Sequence, residues 1–217
     1  MLHIIKYISS GLIIISFISY FILIIINKKN SISKSSGFDV SKDIISEYNS
    51  INIIESKGYF SIYNIKRGVI KLSSKCYYGK DISSITLSLI EAGISILDDR
   101  KNKYINFFGK IVQNLKILYI LPLFALILNC IFYTVTDAWI GIVLLSIFCF
   151  IVFILIDIKT NIYNWLCDDL VKIKDISKNN QLKILDFVNI IIWLDKLIFV
   201  GETIMIIRFI MILLGIS

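Results

Sequence analysis

The sequence predicts a mostly α, polytopic membrane protein with about four transmembrane helices and a small α+β segment on the cytoplasmic side. Three observations predict it. Of 217 residues, 57% are hydrophobic, the mean hydropathy is +0.80 and there is one proline, a balance too apolar for an ordinary soluble domain. The apolar residues gather into stretches long enough to cross about 30 Å of hydrocarbon. Between them lie the charged residues, with lysine in excess.

The first stretch, Leu2 to Ile26, is broken only by His3 and Lys6 near its start. It reads as a transmembrane helix over 2–26. A cleaved signal peptide fits less well, because the apolar run exceeds the usual h-region of about 7 to 15 residues and Asn27-Lys28-Lys29 follows where a small-residue cleavage site belongs. Residues 31–116 then form a polar α+β segment. Asp39 or Ser41 can cap a helix from Ser41 to Tyr48 with Ile44, Ile45 and Tyr48 on one side. Ile51 to Ile54 reads as a strand, and Tyr59 to Ile65 and Val69 to Ser73 as two more around the turn Lys66-Arg67-Gly68. Asp81 is the expected N-cap of the next helix, whose apolar stripe is Ile82, Ile85, Leu89 and Ile96 before Asp98-Asp99 breaks it.

Residues 117–158 read as a transmembrane hairpin, Ile117 to Val135 and Ala138 to Ile158, joined at Thr136-Asp137. Residues 159–186 follow as a cytoplasmic helical segment and 187–217 as a C-terminal membrane helix. The span within it is placed near Leu197 to Ile216, since Asp195, Lys196, Glu202 and Arg208 interrupt the stretch. The alternative, with Phe187 to Leu194 also inserted and Asp195-Lys196 facing protein, stays open.

Lysine sets the orientation. Lys28, Lys29, Lys34, Arg100, Lys101, Lys103, Lys110 and Lys116 flank the first polar segment, five lysines lie between Lys159 and Lys183, and the hairpin turn has only Asp137. The positive-inside rule places both polar segments in the cytoplasm, with the N-terminus and the hairpin turn outside. The net charge of +7 then faces anionic lipid. Dispersed among aliphatic residues and without a recognition motif, the same charge gives no nucleic-acid interface.

One motif carries chemistry. Ile90-Glu91-Ala92-Gly93-Ile94 is the frame of an H-E-x-x-H helix with both histidines replaced by isoleucine. In the intact motif two imidazoles one turn apart bind Zn²⁺ and the glutamate serves as general base. The plain alternative is a core helix that never bound metal, with Glu91 exposed.

The flanking residues weigh against that alternative. Ser35-Ser36-Gly37, the helix after it, Gly58, Tyr63-Asn64, Leu72-Ser73, and Asp81 nine residues ahead of Ile90 follow the order and spacing of one family. The chain resembles the membrane-bound neutral zinc metallopeptidases of bacteria, the YugP-like family, from its first hydrophobic segment to its last. The resemblance implies a metallopeptidase-like α+β segment, peptide-bond hydrolysis and zinc. It assigns the general-base position to Glu91 and the ligand positions to Ile90, Ile94 and an acidic residue after the hairpin. For the last, Ile156-Asp157-Ile158-Lys159-Thr160-Asn161 matches a pattern like V-E-F-D-A-S with Asp157 at the acidic position. Asp157 is read equally well as an interfacial residue.

Nothing else in the chain replaces the missing ligands. His3 is the one histidine, Cys130 and Cys149 lie in the hairpin, and Cys76 and Cys167 have no C-x-x-C spacing. No zinc is therefore expected to bind, and disulfides are not expected in a reducing compartment. Lys159 is the candidate partner of Glu91, placed where its ammonium could fill the space of the lost cation.

The resulting expectation is a catalytically inactive member of this family, a pseudoenzyme that works as a membrane-bound binding or regulatory protein. Its expected partners are the bilayer, anionic lipid at the cytoplasmic face, and another membrane protein such as an active relative. Two alternatives stay open: an active membrane metallopeptidase with an unusual metal site, and a small channel or transporter component using Asp195, Glu202 and Arg208.

Overall fold

A computed structural model of the chain describes residues 2–27, 33–46, 51–58, 61–64, 67–99, 121–131, 134–170, 173 and 175–216. Its elements are α1 (Leu2–Asn27), α2 (Gly37–Ile45), β1 (Asn52–Ser56), β2 (Ile62–Asn64), β3 (Val69–Ser73), α3 (Ser74–Tyr78), α4 (Ile82–Asp99), α5 (Leu121–Ile131), α6 (Val135–Asp169) and α7 (Lys178–Leu213). The chain divides into an apolar unit, residues 1–21, 116–157 and 192–217, and a mixed unit, residues 22–115 and 158–191. The expected segment ends at 158 and 186 both fall inside continuous helices, α6 and α7.

The mixed unit is built on a three-stranded sheet of order β1-β3-β2. Strand β1 runs parallel to β3, with Ile53 opposite Ile70, and β2 runs antiparallel, with Tyr63 opposite Ile70. Gly68, at φ 58°, takes the left-handed conformation of the expected turn before β3. Expected strand residues Tyr59, Phe60 and Ile65, turn residue Lys66, and helix residues 47 and 48 lie outside the described set.

Helix α2 begins earlier than the sequence suggested. Ser36 and Asp39 form a capping box: the Ser36 hydroxyl accepts from the Asp39 N–H at 3.3 Å and the Asp39 carboxyl accepts from the Ser36 N–H at 2.9 Å. Gly37 follows because the backbone leaves no room: an added Cβ would lie 2.2 Å from the Cys76 carbonyl oxygen and 2.4 Å from Ser88 Oγ. The Gly37 N–H also donates to the Gly79 carbonyl at 2.9 Å. Asp81 caps α4 as expected, accepting from the Ser84 N–H at 3.0 Å and the Ser84 hydroxyl at 2.7 Å.

Helix α4 is the centre of this unit. Its stripe residues Ile82, Ile85, Leu89 and Ile96 are buried, and so are Ser83, Ser84, Thr86, Ser88 and Ser95. Some of these hydroxyls bond locally: Ser88 donates to the carbonyls of Ser84 and Cys76, and Ser95 to that of Ala92, while the Thr86 hydroxyl has no hydrogen-bond partner among the described residues. The apolar stripe gives way to Asp98 and Asp99, the last residues of the helix.

The apolar unit packs Ile13, Ala125, Leu128, Ala138, Leu145, Met205 and Phe209 together. A polar chain crosses it. The Asn129 amide donates to Ser10 Oγ at 2.9 Å and Ser9 Oγ at 3.3 Å, and the Arg208 guanidinium donates to Asn129 Oδ1 at 2.6 Å. Thus α1, α5 and α7 are joined by hydrogen-bonded polar groups where charge is costly. Thr134 and Asp137 form reciprocal hydrogen bonds at the start of α6, so Thr136 and Asp137 open a helix instead of forming a free turn.

The expectation of about four transmembrane helices is not met. Among the described residues two helices are long and apolar enough to cross a membrane, Leu2–Asn27 and Asp137–Asp169. Of the expected span Ile117 to Val135, residues 117–120 and 132–133 lie outside the described set, and Leu121–Ile131 is described as helix. Helix α7 is long, but the charged residues Asp186, Asp195, Lys196, Glu202 and Arg208 recur along it.

The two qualifying helices differ from the core helices of a soluble protein. Only 17% and 33% of their most apolar windows are buried, so each shows a long apolar surface, including Ile15, Ile18 and Ile22 on α1 and Trp139, Val143 and Phe150 on α6. Surfaces of this kind mark contact with lipid or with another protein.

The Gly37 contact is tested by substitution. Gly37→Ala is expected to lower stability by about 1–3 kcal/mol because backbone must move, whereas Gly11→Ala, with nothing within 4 Å of the added Cβ, should be neutral or slightly stabilising. Thermal melting of the two variants in detergent checks both.

Candidate functional site

Glu91 lies on α4 and is partly buried. Its neighbours Ile90 and Ile94 are 8% and 5% exposed, and Ala92 is fully buried. The carboxyl reaches the sheet edge, where Oε2 accepts from the backbone N–H of Tyr63 at 2.7 Å. Tyr63 is fixed a second time by its phenol, which donates to Asp98 Oδ2 at 2.9 Å. Glu91 and Asp98 are seven residues apart, hence close to two turns and on one helical face. Together they hold β2, an outer strand of the sheet, against α4.

This geometry sets the electrostatics. Burial pushes the Glu91 carboxyl up to about 8, and the hydrogen bond from Tyr63 acts in the opposite direction. Lys159 was the partner expected for Glu91, and the hydrogen bond seen on the Glu91 carboxyl comes from Tyr63. Lys159 is in α6, in the mixed unit, and Asp157 is the last α6 residue of the apolar unit.

Gly93, the fourth residue of the motif frame, is also closed in. A Cβ there would stand 2.8 Å from Ile162 Cγ2 of α6, so the two helices meet at this glycine. The faces that would carry imidazoles are thus buried aliphatic surface.

The remaining candidate ligands lie apart. His3 is on α1 in the apolar unit, Cys76 is buried on α3, and Cys167 is exposed on α6. All four cysteines are free. Among the described residues no group of three or more histidine, cysteine, aspartate or glutamate side chains could hold a metal ion.

A profile of the family described as putative neutral zinc metallopeptidase matches residues 5–162. The chain belongs to this family. No curated protein and no solved structure matches it. The matched region runs from α1 through the motif helix to Ile162 in α6, and so includes Glu91, Gly93 and the segment around Asp157. The family's zinc does not fit the side chains present at its two motif positions, since isoleucine has no lone pair to donate and both are packed in the core.

The residues that carry the family resemblance have physical roles. Ser36 caps α2, Gly37 permits its close docking, Tyr63 joins sheet to helix, Ser73 caps α3 by accepting from the Cys76 N–H, and Asp81 caps α4. Sequence reasoning missed Asp98 and the use of Tyr63. The available signal was an acid seven residues after Glu91.

Glu91→Gln keeps an oxygen acceptor for the Tyr63 N–H and removes the titration. Because the folded chain holds the Glu91 proton more tightly than the unfolded chain does, the wild-type fold is favoured at low pH. That advantage is lost as pH rises from the ordinary carboxyl range near 4.5 to about 8. The variant is therefore expected to be more stable than wild type by roughly 1–3 kcal/mol at neutral pH, with the difference vanishing toward acid. Melting curves across this range check it. Tyr63→Phe should cost about 0.5–1.5 kcal/mol for the lost Asp98 hydrogen bond.

Proposed function

We propose that this member of the zinc metallopeptidase family works without hydrolysing peptides, as a membrane-bound binding or regulatory protein. The observation that carries the reading is the motif helix: buried isoleucines at both histidine positions, a closed Gly93–Ile162 contact, and a Glu91 carboxyl engaged with the Tyr63 N–H. A metal-free carboxyl has no means of lowering the pKa of water from 15.7 to about 7. It also lacks a nucleophile–base pair, as the chain's only imidazole is His3 in the other unit. What the family pattern has kept here is the scaffold.

The reading places the protein in the plasma membrane through α1 and α6. Support comes from the exposed apolar faces of both helices. The partner class is another membrane protein, for which an active relative of the same family is the leading choice.

One observation favours a second reading, a channel or transporter component. Glu202 is fully buried in the apolar unit, and neither carboxyl oxygen has a hydrogen-bond partner among the described residues, a setting associated with ion or proton pathways. Arg208 is instead engaged by Asn129. Ion flux into reconstituted vesicles, abolished in Glu202→Gln, would favour this second reading over the first.

The expected composition of the detergent-purified protein is well under one zinc per chain, with no cleavage of casein. One tightly bound zinc per chain, lost together with activity on chelation, would overturn the proposal.

A further inference from the structure

Three consecutive residues of α7, Gly201, Glu202 and Thr203, stand where helices of the apolar unit meet. Gly201 is pressed on α1: an added Cβ would lie 2.8 Å from Ile13 Cγ1 and 3.2 Å from the Ser9 carbonyl oxygen. Thr203 meets α6, with its hydroxyl donating to the Phe199 carbonyl at 2.8 Å and lying 4.0 Å from Cys149 Sγ. One turn along, the Phe153 and Phe199 rings have centroids 6.4 Å apart, so α6 and α7 pass each other antiparallel here. Glu202, between Gly201 and Thr203, is fully buried, and neither of its carboxyl oxygens has a hydrogen-bond partner among the described residues.

An unpaired carboxylate in such a setting is costly, so the group must be neutralised by something able to reach it. The charged residues of the helices packed here are His3 and Lys6 on α1, Asp137 and Asp157 on α6, and Asp195, Lys196 and Arg208 on α7. Among the described residues none of them hydrogen-bonds Glu202, and Arg208 donates to Asn129. The titratable group beside Glu202 is the Cys149 thiol.

The ligand follows from this donor set. Calcium takes about six to eight oxygen ligands and magnesium demands a near-octahedral shell, whereas the carboxyl has one hydroxyl and one soft sulfur beside it. Zinc needs about three or four protein ligands, and among the described residues no group of three or more histidine, cysteine, aspartate or glutamate side chains could hold a metal. A proton needs a single oxygen and no coordination shell. Intramembrane carboxyls of proton relays are of this kind.

We propose that Glu202 is a proton-binding site, held in the folded protein as the neutral acid beside Cys149 and Thr203. A proton adds to one carboxylate oxygen on loading and leaves that oxygen for water on release, with no other bond changed. The assignment names the ion for the second reading above and rests on that reading for any part in transport.

The test uses the full chain in nanodiscs. Its glutamates are Glu47, Glu55, Glu91 and Glu202, so glutamate carrying carbon-13 at the side-chain carboxyl gives few signals by NMR. Glu202→Gln assigns the Glu202 signal by its loss; if that variant melts below wild type, Glu47→Gln, Glu55→Gln and Glu91→Gln assign it by elimination. The Glu202 signal is expected at its carboxylic-acid position at pH 7, where an ordinary glutamate, titrating near about 4.3, has moved to the carboxylate position. Sodium, potassium or calcium chloride at constant pH should leave it there. A carboxylate position at pH 7 would overturn the proton site. A move toward that position on adding one of the cations would overturn it too, in favour of a metal-ion site. Proton entry into pyranine-loaded vesicles, present in wild type and lost in Glu202→Gln, is the further result expected on the second reading. A protonated Glu202 in a chain that moves no protons would overturn that reading and leave the site standing.

Discussion

The mixed unit depends on one interaction, the double attachment of Tyr63 to α4. A three-residue strand such as β2 has little hydrogen bonding of its own, and an outer strand leaves donors facing away from the sheet. Glu91 takes the Tyr63 N–H and Asp98 takes its phenol. Sheet and helix are thereby registered against each other, and with α4 fixed the remaining contacts follow: α2 closes on it through Gly37, α3 through the Ser88–Cys76 bond, and α6 through Gly93. The Glu91 carboxyl is part of the framework.

Much of this was legible in the sequence where the determinants are local. The length of α1, the N-cap at Asp81, strand β3 and the buried stripe of α4 all follow from periodicity and capping chemistry within a few residues. The start of α2 was misplaced because Asp39 and Ser41 resemble caps by composition, whereas Asp39 serves as the return half of a box begun at Ser36. The Tyr63–Glu91 bond joins residues 28 apart and has no local signature. Family spacing pointed to both residues without saying that they touch.

The number of spans was the larger error. Average hydropathy passes over the charges within a stretch, and α7 carries Asp195, Lys196, Glu202 and Arg208. In α7, Glu202 and Arg208 lie inside the protein, and the Asn129 side chain links Arg208 to Ser9 and Ser10 of α1. That chain of polar groups specifies which helices adjoin, a task that aliphatic side chains perform poorly because they fit many partners.

The burial of Ile90 and Ile94 also bears on how such a protein can change over time. A single change to histidine at either position would place one imidazole in a close-packed apolar setting, without a metal to accept it, and would be selected against for stability before any activity appeared. Two simultaneous changes would still meet a glutamate committed to Tyr63 and a glycine pressed on Ile162. On the proposed reading, a return to zinc chemistry would therefore need more than two histidines: the carboxyl would have to leave the Tyr63 N–H and the Gly93–Ile162 contact would have to open.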